Sequence, residues 1–281
     1  MTLNEKLEEL NMLKIRANTL RPLSANQTAE LAQHVRTAHV WSSNAIEGNT
    51  LTYCETVAIL NTGMIIHAVP VKDVLETLDL NEAYEYMMTL ASQKTPLSST
   101  LIRTLNRIVT LQTTTDKANA GVYRILAAWS YSSEDKPYVA PFDIAPQMDD
   151  LITWSQTAQN DHHPVQYAAD LHQKFVSIHP FADGNGRTAR LLMNMALTQA
   201  GYPVINVQPN REARSAYMEA LAKSREAGDL EPFESLIIKY VRETLNERIS
   251  ILQLNEKNQN DAKNDVDERF EKFLKERQRK K

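Results

Sequence analysis

The chain has 281 residues, 42% of them hydrophobic, with seven glycines and one cysteine. That length allows one large domain or two small ones, and a glycine share under half the usual ~7% disfavours a turn-rich β-sandwich or barrel. Thirty-one basic against 35 acidic side chains give a net charge of −4, with no footprint of broad nucleic-acid binding; no run approaches the ~18 apolar residues of a membrane span.

The N-terminus, MTLNEKLEELNML, is acidic and amphipathic and lacks the basic-then-apolar pattern of a signal peptide. Leucines at 3, 7, 10, 13 and 20 predict a first helix. A second runs from Asn26 or Thr28 towards Ile46, and a third begins near Thr52. It carries the single cysteine, Cys54, which has no base partner in sequence and is expected to be buried and inert. One cysteine excludes an internal disulfide and fits a reducing compartment, so a cytoplasmic protein with no membrane and no nucleic-acid partner is expected.

A fourth helix covers Val71 to Ser92, with Pro70 just ahead, and a fifth follows Ser98 or Ser99. From Gly121 to Pro146 the pattern changes. β-Branched and aromatic residues precede SSED and then three prolines, which reads as a hairpin-like flap. Helices resume over about Pro146 to Gln159, Pro164 to Ile178, Gly186 to Ala200, Asn210 to Ala227 and Leu230 to Leu254. Residues 257–281 hold 15 charged side chains on a thin stripe of Val266, Phe270, Phe273 and Leu274. This predicts an exposed or frayed helix, a solubilising tail or a partner helix. The layout is all-α: an N-terminal helical region over 1–95, a core over 96–254 and the tail over 255–281.

The chemistry concentrates in HPFADGNGRTAR, residues 179–190. An amphipathic helix precedes it and another follows, so a glycine turn opens the second helix. A helix N-terminus presents unpaired N–H groups and the positive end of the dipole, a natural anion site. Gly184 and Gly186 let a phosphate approach the backbone, and Asn185 adds an amide donor. Arg187 and Arg190, three apart, share a helix face and can hold phosphate oxygens bidentately. Asp183 is a hard oxygen ligand suited to Mg²⁺ between two phosphates, and His179 is a base that titrates near neutrality. These are the parts of phosphoryl-type or nucleotidyl transfer. A calcium loop fails because Arg187 stands where the next oxygen ligand belongs. A plain structural turn does not explain the histidine, the aspartate, the asparagine and both arginines within twelve residues.

This segment resembles the signature of Fic proteins, HPFx(D/E)GNGRxxR, at every fixed position. The resemblance extends from about Gly121 to about Tyr240. It implies an all-helical Fic fold with a small β-hairpin flap, and transfer of AMP from ATP to a protein hydroxyl with Mg²⁺ or Mn²⁺. It implies that His179 deprotonates a target Ser, Thr or Tyr, and that Asp183 holds the metal. It assigns Gly184, Asn185 and Gly186 to the anion hole, with Asn185 on the α-phosphate, Arg187 on the β-phosphate and Arg190 on the γ-phosphate. Phe181 anchors the loop in the core. The flap residues Tyr138, Val139, Ala140, Pro141 and Phe142 would pair their backbone with the target. Tyr217 is a candidate for the adenine side, with a structural tyrosine as the other reading.

Residues Ser43 to Asn49, SNAIEGN, resemble the Fic inhibitory motif (S/T)xxxE(G/N), in the class that carries it ahead of the core. Ser43 and Glu47 share a helix face, and Gly48 or Asn49 ends that helix. Glu47 would pair with Arg190, take the place of the γ-phosphate and leave the α-phosphate misaligned. Glu47 positioning a water for de-AMPylation remains an alternative, as does transfer of another nucleotide monophosphate or phosphocholine. A non-catalytic interaction module and a DNA-binding regulator are weaker readings. The target protein and any homodimer stay open. His172 reads as an ordinary helix residue.

Overall fold

The computed structural model describes residues 2–65, 67–130, 133–263, 266 and 268–279. Among them the chain forms eleven α-helices and one two-stranded antiparallel hairpin, confirming the all-α expectation. The helices start where the chain supplies caps. Thr2, Ser24 and Thr52 each accept the N3 backbone N–H in a full capping box, opening α1 (Leu3–Thr19), α2 (Ala25–Ile46) and α3 (Tyr53–Thr62). Helix α4 spans Val71–Ser92, and Ser98 caps α5 (Ser99–Thr110).

Helix α6 (Ile144–Asp161) begins two residues before the expected Pro146. A proline fits within the first turn because N–H groups there have no upstream acceptor. Helices α7 (Pro164–Ile178), α8 (Asn185–Gln199) and α9 (Arg211–Ala227) follow the predicted spans closely. Helix α10 (Glu231–Ala262) outruns its expected end at Leu254. Its last buried residue is Asn255, and no glycine or proline follows to stop it. Helix α11 (Glu268–Arg279) is exposed along its apolar stripe. No helix among the described residues is long and apolar enough to cross a membrane.

Helix α8 is the axis of the fold. From Asn185 to Leu197 almost every side chain is buried, against α7, α4 and α5. Helix α1 packs on α10, and α2 on α4. The N-terminal helices therefore share the core instead of standing apart from it. A helix buried on all sides must be apolar or internally paired. Leu191, Leu192, Met193 and Leu197 meet the first condition, and Arg187, Arg190 and Asn194 meet the second.

The hairpin pairs β1 (Trp129–Ser130) with β2 (Ser133–Pro137), with Trp129 opposite Pro137. Tyr138–Phe142, expected to be the target-pairing edge, lies beyond the strand. Proline at 137 and again at 141 interrupts an extended ladder. Tyr138 donates its N–H to the Ala128 carbonyl, and Pro141–Asp143 forms a 3-10 turn. Cys54 is exposed rather than buried, because it sits on the solvent side of α3, away from buried Glu55, Thr56 and Ile59.

Candidate active site

The loop from His179 to Gly184 joins α7 to α8 and is built by backbone geometry. His179 closes α7 in the left-handed conformation, φ 53°, which few non-glycine residues adopt. Gly184 caps α8 at φ 75°. Asn185 staples the turn: its Oδ1 accepts the Phe181 N–H at 2.9 Å and its Nδ2 donates to the Phe181 carbonyl at 2.7 Å. One Nδ2 hydrogen and one Oδ1 lone pair are thus engaged on Phe181, so the side chain expected on the α-phosphate also builds the loop; its second Nδ2 hydrogen and the backbone N–H remain. Phe181 is buried between Tyr123 and Phe175 and anchors the loop as expected.

The two glycines do different work. A Cβ on Gly184 would sit 2.7 Å from Thr110 Cγ2 and 3.1 Å from Val109 Cγ1, so this glycine lets the turn lie against α5. A Cβ on Gly186 would collide with the Glu47 carboxylate. The second glycine is thus the open floor of the helix N-terminus, and a carboxylate already rests on it.

Arg190 is 2% exposed and fully engaged. Its Nε donates to Ser43 Oγ at 2.7 Å, and its Nη2 donates to the Ser43 carbonyl at 2.8 Å and to Glu47 Oε1 at 2.7 Å. Burial alone would lower its pKa, but the Glu47 carboxylate and the Tyr217 hydroxyl together outweigh that and hold it raised. Glu47 is the C-cap of α2, and Arg214 of α9 secures that helix end by donating to the Ile46 carbonyl at 2.9 Å. Gly48 follows at φ 99° and turns the chain away.

Tyr217 is corrected from the adenine side. It is 1% exposed and lies beside Arg190. Arg190 Nη1 donates to its hydroxyl at 3.4 Å, and that hydroxyl shares a hydrogen bond with His172 Nε2 at 2.8 Å. A ring enclosed by Phe233, His172 and Arg190 has no face for a base. His172, expected to be ordinary, is the far end of this buried chain. Burial and the nearby Arg190 charge hold its pKa well below the usual value, so it stays neutral. His39, in contact with Asn206, is likewise buried and lowered to about 4.

Arg187 is also 2% exposed. Its Nη2 reaches Asp183 at 3.3 Å and its Nη1 reaches Glu76 of α4 at 3.5 Å. These pairs are longer than the ~2.7–2.9 Å of a tight charge-assisted bond, and the buried Nε has no hydrogen-bond partner. The guanidinium therefore retains capacity for an anion. Asp183 keeps its carboxylate 59% exposed while Oδ1 accepts the Gly184 N–H. Among the described residues no group of three or more His, Cys, Asp or Glu is placed to hold a metal. A divalent ion at Asp183 would take its other ligands from phosphate and water. That suits Mg²⁺, which keeps several waters and uses one or two carboxylates.

His179 is pulled down to about 4, first by burial and then by the Arg124 charge, with Arg225 adding to it; the Val176 carbonyl and Glu47 oppose the shift. The imidazole is therefore neutral at pH 7 and able to accept a proton.

Sequence reasoning missed two residues that hold this site, Arg124 and Asn106, and the contact that Tyr138 of the expected flap makes with His179. Arg124 donates to the His179 carbonyl at 2.8 Å, to the Leu126 carbonyl at 2.7 Å and to the Val139 carbonyl, tying the flap to the catalytic turn. Asn106 of α5 donates to the Asp183 carbonyl at 2.9 Å. Tyr138 stacks on His179 with ring centroids 3.9 Å apart. The other flap residues differ from it: Val139 packs on the core, the Ala140 carbonyl accepts the Asp143 N–H, Pro141 opens the 3-10 turn, and Phe142 is 95% exposed.

The fold and site define an all-helical protein with a base at the end of one helix and a glycine-floored cradle at the start of the next. Residues 96–197 match the model of the Fic/DOC family. The Protein adenylyltransferase Fic of Drosophila grimshawi is 36% identical over 208 residues, 74% of this chain and 41% of that protein. A Fic domain containing signaling protein from Bacteroides thetaiotaomicron matches with a TM-score of 0.80 at 29% identity, covering 87% of this chain and 97% of that one. Fic-1 from C. elegans matches with a TM-score of 0.80 at 26% identity, covering 90% and 73%. The chain belongs to the Fic family. It spans less than half the length of the curated relatives it matches.

Proposed function

We propose that this chain transfers AMP from ATP to a hydroxyl of a protein and that Glu47 holds it off. The name borne by its relatives, protein adenylyltransferase, supports the reaction class. The single observation that carries the regulatory part is the Glu47 carboxylate resting on Gly186 while paired with Arg190 at 2.7 Å. An oxyanion therefore fits this cradle, and Glu47 and a γ-phosphate cannot both have it.

In this reading the neutral His179 imidazole takes the proton of a Ser, Thr or Tyr hydroxyl. That oxygen attacks the α-phosphorus, and pyrophosphate leaves. The N–H groups of Asn185 and Gly186 and the α8 dipole receive the charge that develops on the phosphoryl oxygens. Arg187 and Arg190 grip the leaving tail. Asp183 would hold Mg²⁺, which supplies charge neutralisation on the phosphates. With Glu47 in place the tail is displaced, and misplacement of the reacting atoms by about 1 Å can cost roughly 100-fold in rate.

The test is labelling with α-labelled ATP and Mg²⁺. Glu47→Gly should raise incorporation at least ~10-fold, and His179→Ala should abolish it in either background. Equal labelling with and without Glu47 would remove the brake. Absence of labelling in Glu47→Gly, with or without added cell lysate, would remove the transfer itself.

A further inference from the structure

The Tyr138 ring lies flat on the His179 imidazole, 3.9 Å between centroids and 11° between planes. The Arg225 guanidinium of α9 lies over the Tyr138 ring, 4.9 Å from its centroid. Three elements far apart in sequence thus meet around the base: the turn after α7, the segment leaving the flap, and the last turns of α9. Tyr138 is held there from its own backbone. Its N–H goes to the Ala128 carbonyl at 2.9 Å, and the next carbonyl, Val139, accepts from Arg124, which also grips the His179 carbonyl. One arginine therefore fixes both the residue under the stack and the segment that carries its cover.

We propose that Tyr138 is a positioning residue for the base: its ring, steadied by Arg225, fixes the plane of the His179 imidazole and covers its face. This rests on the reading of His179 as general base. The physical argument is the geometry of stacking. A ring stacked on one face leaves the edge nitrogens free to hydrogen-bond, so the cover restrains the imidazole without consuming its proton acceptor. General-base catalysis needs that nitrogen within hydrogen-bond reach of the acceptor hydroxyl, and a rotating imidazole loses that alignment. The effect belongs to the π-face, since a stacked pair of this kind does not use the phenol oxygen.

The cover also sets the local field. The charged and polar groups facing His179 are Arg124 ahead of the flap, Arg225 on α9, Glu47 on α2 and the Val176 carbonyl on α7. Tyr138 supplies neutral bulk among them. Its removal admits water, which relieves the desolvation that lowers the imidazole.

The test compares Tyr138→Ala with Tyr138→Phe. The first readout needs no turnover: the His179 imidazole resonances, assigned by their loss in His179→Gln, are titrated by NMR. In the parent chain and in Tyr138→Phe the imidazole should titrate near the same low pH, while in Tyr138→Ala it should move towards the usual histidine value. The second readout is labelling in the Glu47→Gly background. Tyr138→Ala should lower kcat by roughly 10–100-fold with the KM for ATP within about twofold, and Tyr138→Phe should restore it. If Tyr138→Ala fails to fold, Tyr138→Leu keeps the volume without the π-face and carries the same expectation for kcat. The proposal is overturned if His179 titrates alike in the alanine and parent chains, if Tyr138→Phe falls as far as Tyr138→Ala, or if the loss lies in KM for ATP. No labelling in Glu47→Gly itself would instead count against AMP transfer and leave the NMR comparison standing.

Discussion

Glu47 and Arg190 stand 143 residues apart in sequence and meet at 2.7 Å. The glutamate side chain is 36% exposed and the arginine side chain 3%. The pair is therefore asymmetric. A buried guanidinium flanked by neutral histidines at 39 and 172 requires an anion, whereas an exposed carboxylate can leave at little cost to itself. That asymmetry suits an exchange of one anion for another at a fixed cation.

Ser43 holds the same guanidinium. Its hydroxyl accepts the Arg190 Nε and its carbonyl accepts Nη2. Ser43→Ala removes the first of these and keeps the second. We expect self-labelling to rise a few-fold over the parent chain, well short of Glu47→Gly, since one charge-assisted hydrogen bond contributes about 1.5–3 kcal/mol that Glu47 and the nucleotide tail share unequally. Labelling at the parent level would show that Ser43 does not hold the closed arrangement.

Gly184 and Gly186 should separate stability from binding. Gly184→Ala meets Thr110 and keeps a left-handed φ. Overpacking and backbone strain together should cost about 2–4 kcal/mol, read as a fall in Tm. Gly186 is helical and lacks that strain, and the nearest atoms a methyl there meets are the Glu47 carboxylate and an Arg190 nitrogen. In a Glu47→Gly background, Gly186→Ala should leave Tm within a few degrees and weaken ATP binding at least ~10-fold by calorimetry, because the methyl fills the floor of the cradle. Unchanged ATP affinity would place the nucleotide elsewhere.

Asn185 is predicted to act through the loop. Asn185→Ala unpairs the N–H and the carbonyl of buried Phe181. Two orphaned backbone groups at ~1–3 kcal/mol each predict a loss of about 2–6 kcal/mol in denaturant unfolding. A normal Cm with lost activity would restore the direct phosphate role.

Stability should depend on pH in two opposite limbs. His39 is lowered to about 4 and His172 well below its usual value by burial. In the unfolded chain they gain protons below about 6.5 that the folded chain refuses, so stability falls as pH drops from about 6.5. Asp170 is raised to about 8 by burial and then by Glu234. The folded chain keeps that proton where the unfolded chain has lost it, so this stabilisation is present at low pH and is lost as pH rises towards 8. Thermal unfolding should show a maximum near pH 6.5. Asp170→Asn should flatten the alkaline limb and steepen the acid one, and an alkaline limb that persists in it would assign the effect to another group.

Most helices were legible in the sequence because their causes are local. Thr2, Ser24, Thr52 and Ser98 cap helices whose apolar spacing is visible within a few turns. The end of α10 was not legible, since it depends on the lack of a breaker beyond the packed region rather than on a stop signal. That β2 ends before Tyr138 was not legible, because Tyr138 to Phe142 has strand-like composition while Pro141 and the contacts to Arg124 and His179 shape it.

The candidate site divides in the same way. His179, Asp183, Gly184, Gly186, Arg187 and Arg190 lie in twelve consecutive residues, and a short turn between two helices leaves few ways to arrange them, so the sequence by itself determined that these side chains share one turn. Which atoms fill that cradle was decided by tertiary packing. Arg124 reaches His179 across 55 residues and Asn106 reaches Asp183 across 77. Tyr217 turns to His172 across 45 rather than to an open face. Side chains that distant become neighbours only when α2, α5, α7, α9 and the flap close around α8, and no local spacing encodes that closure.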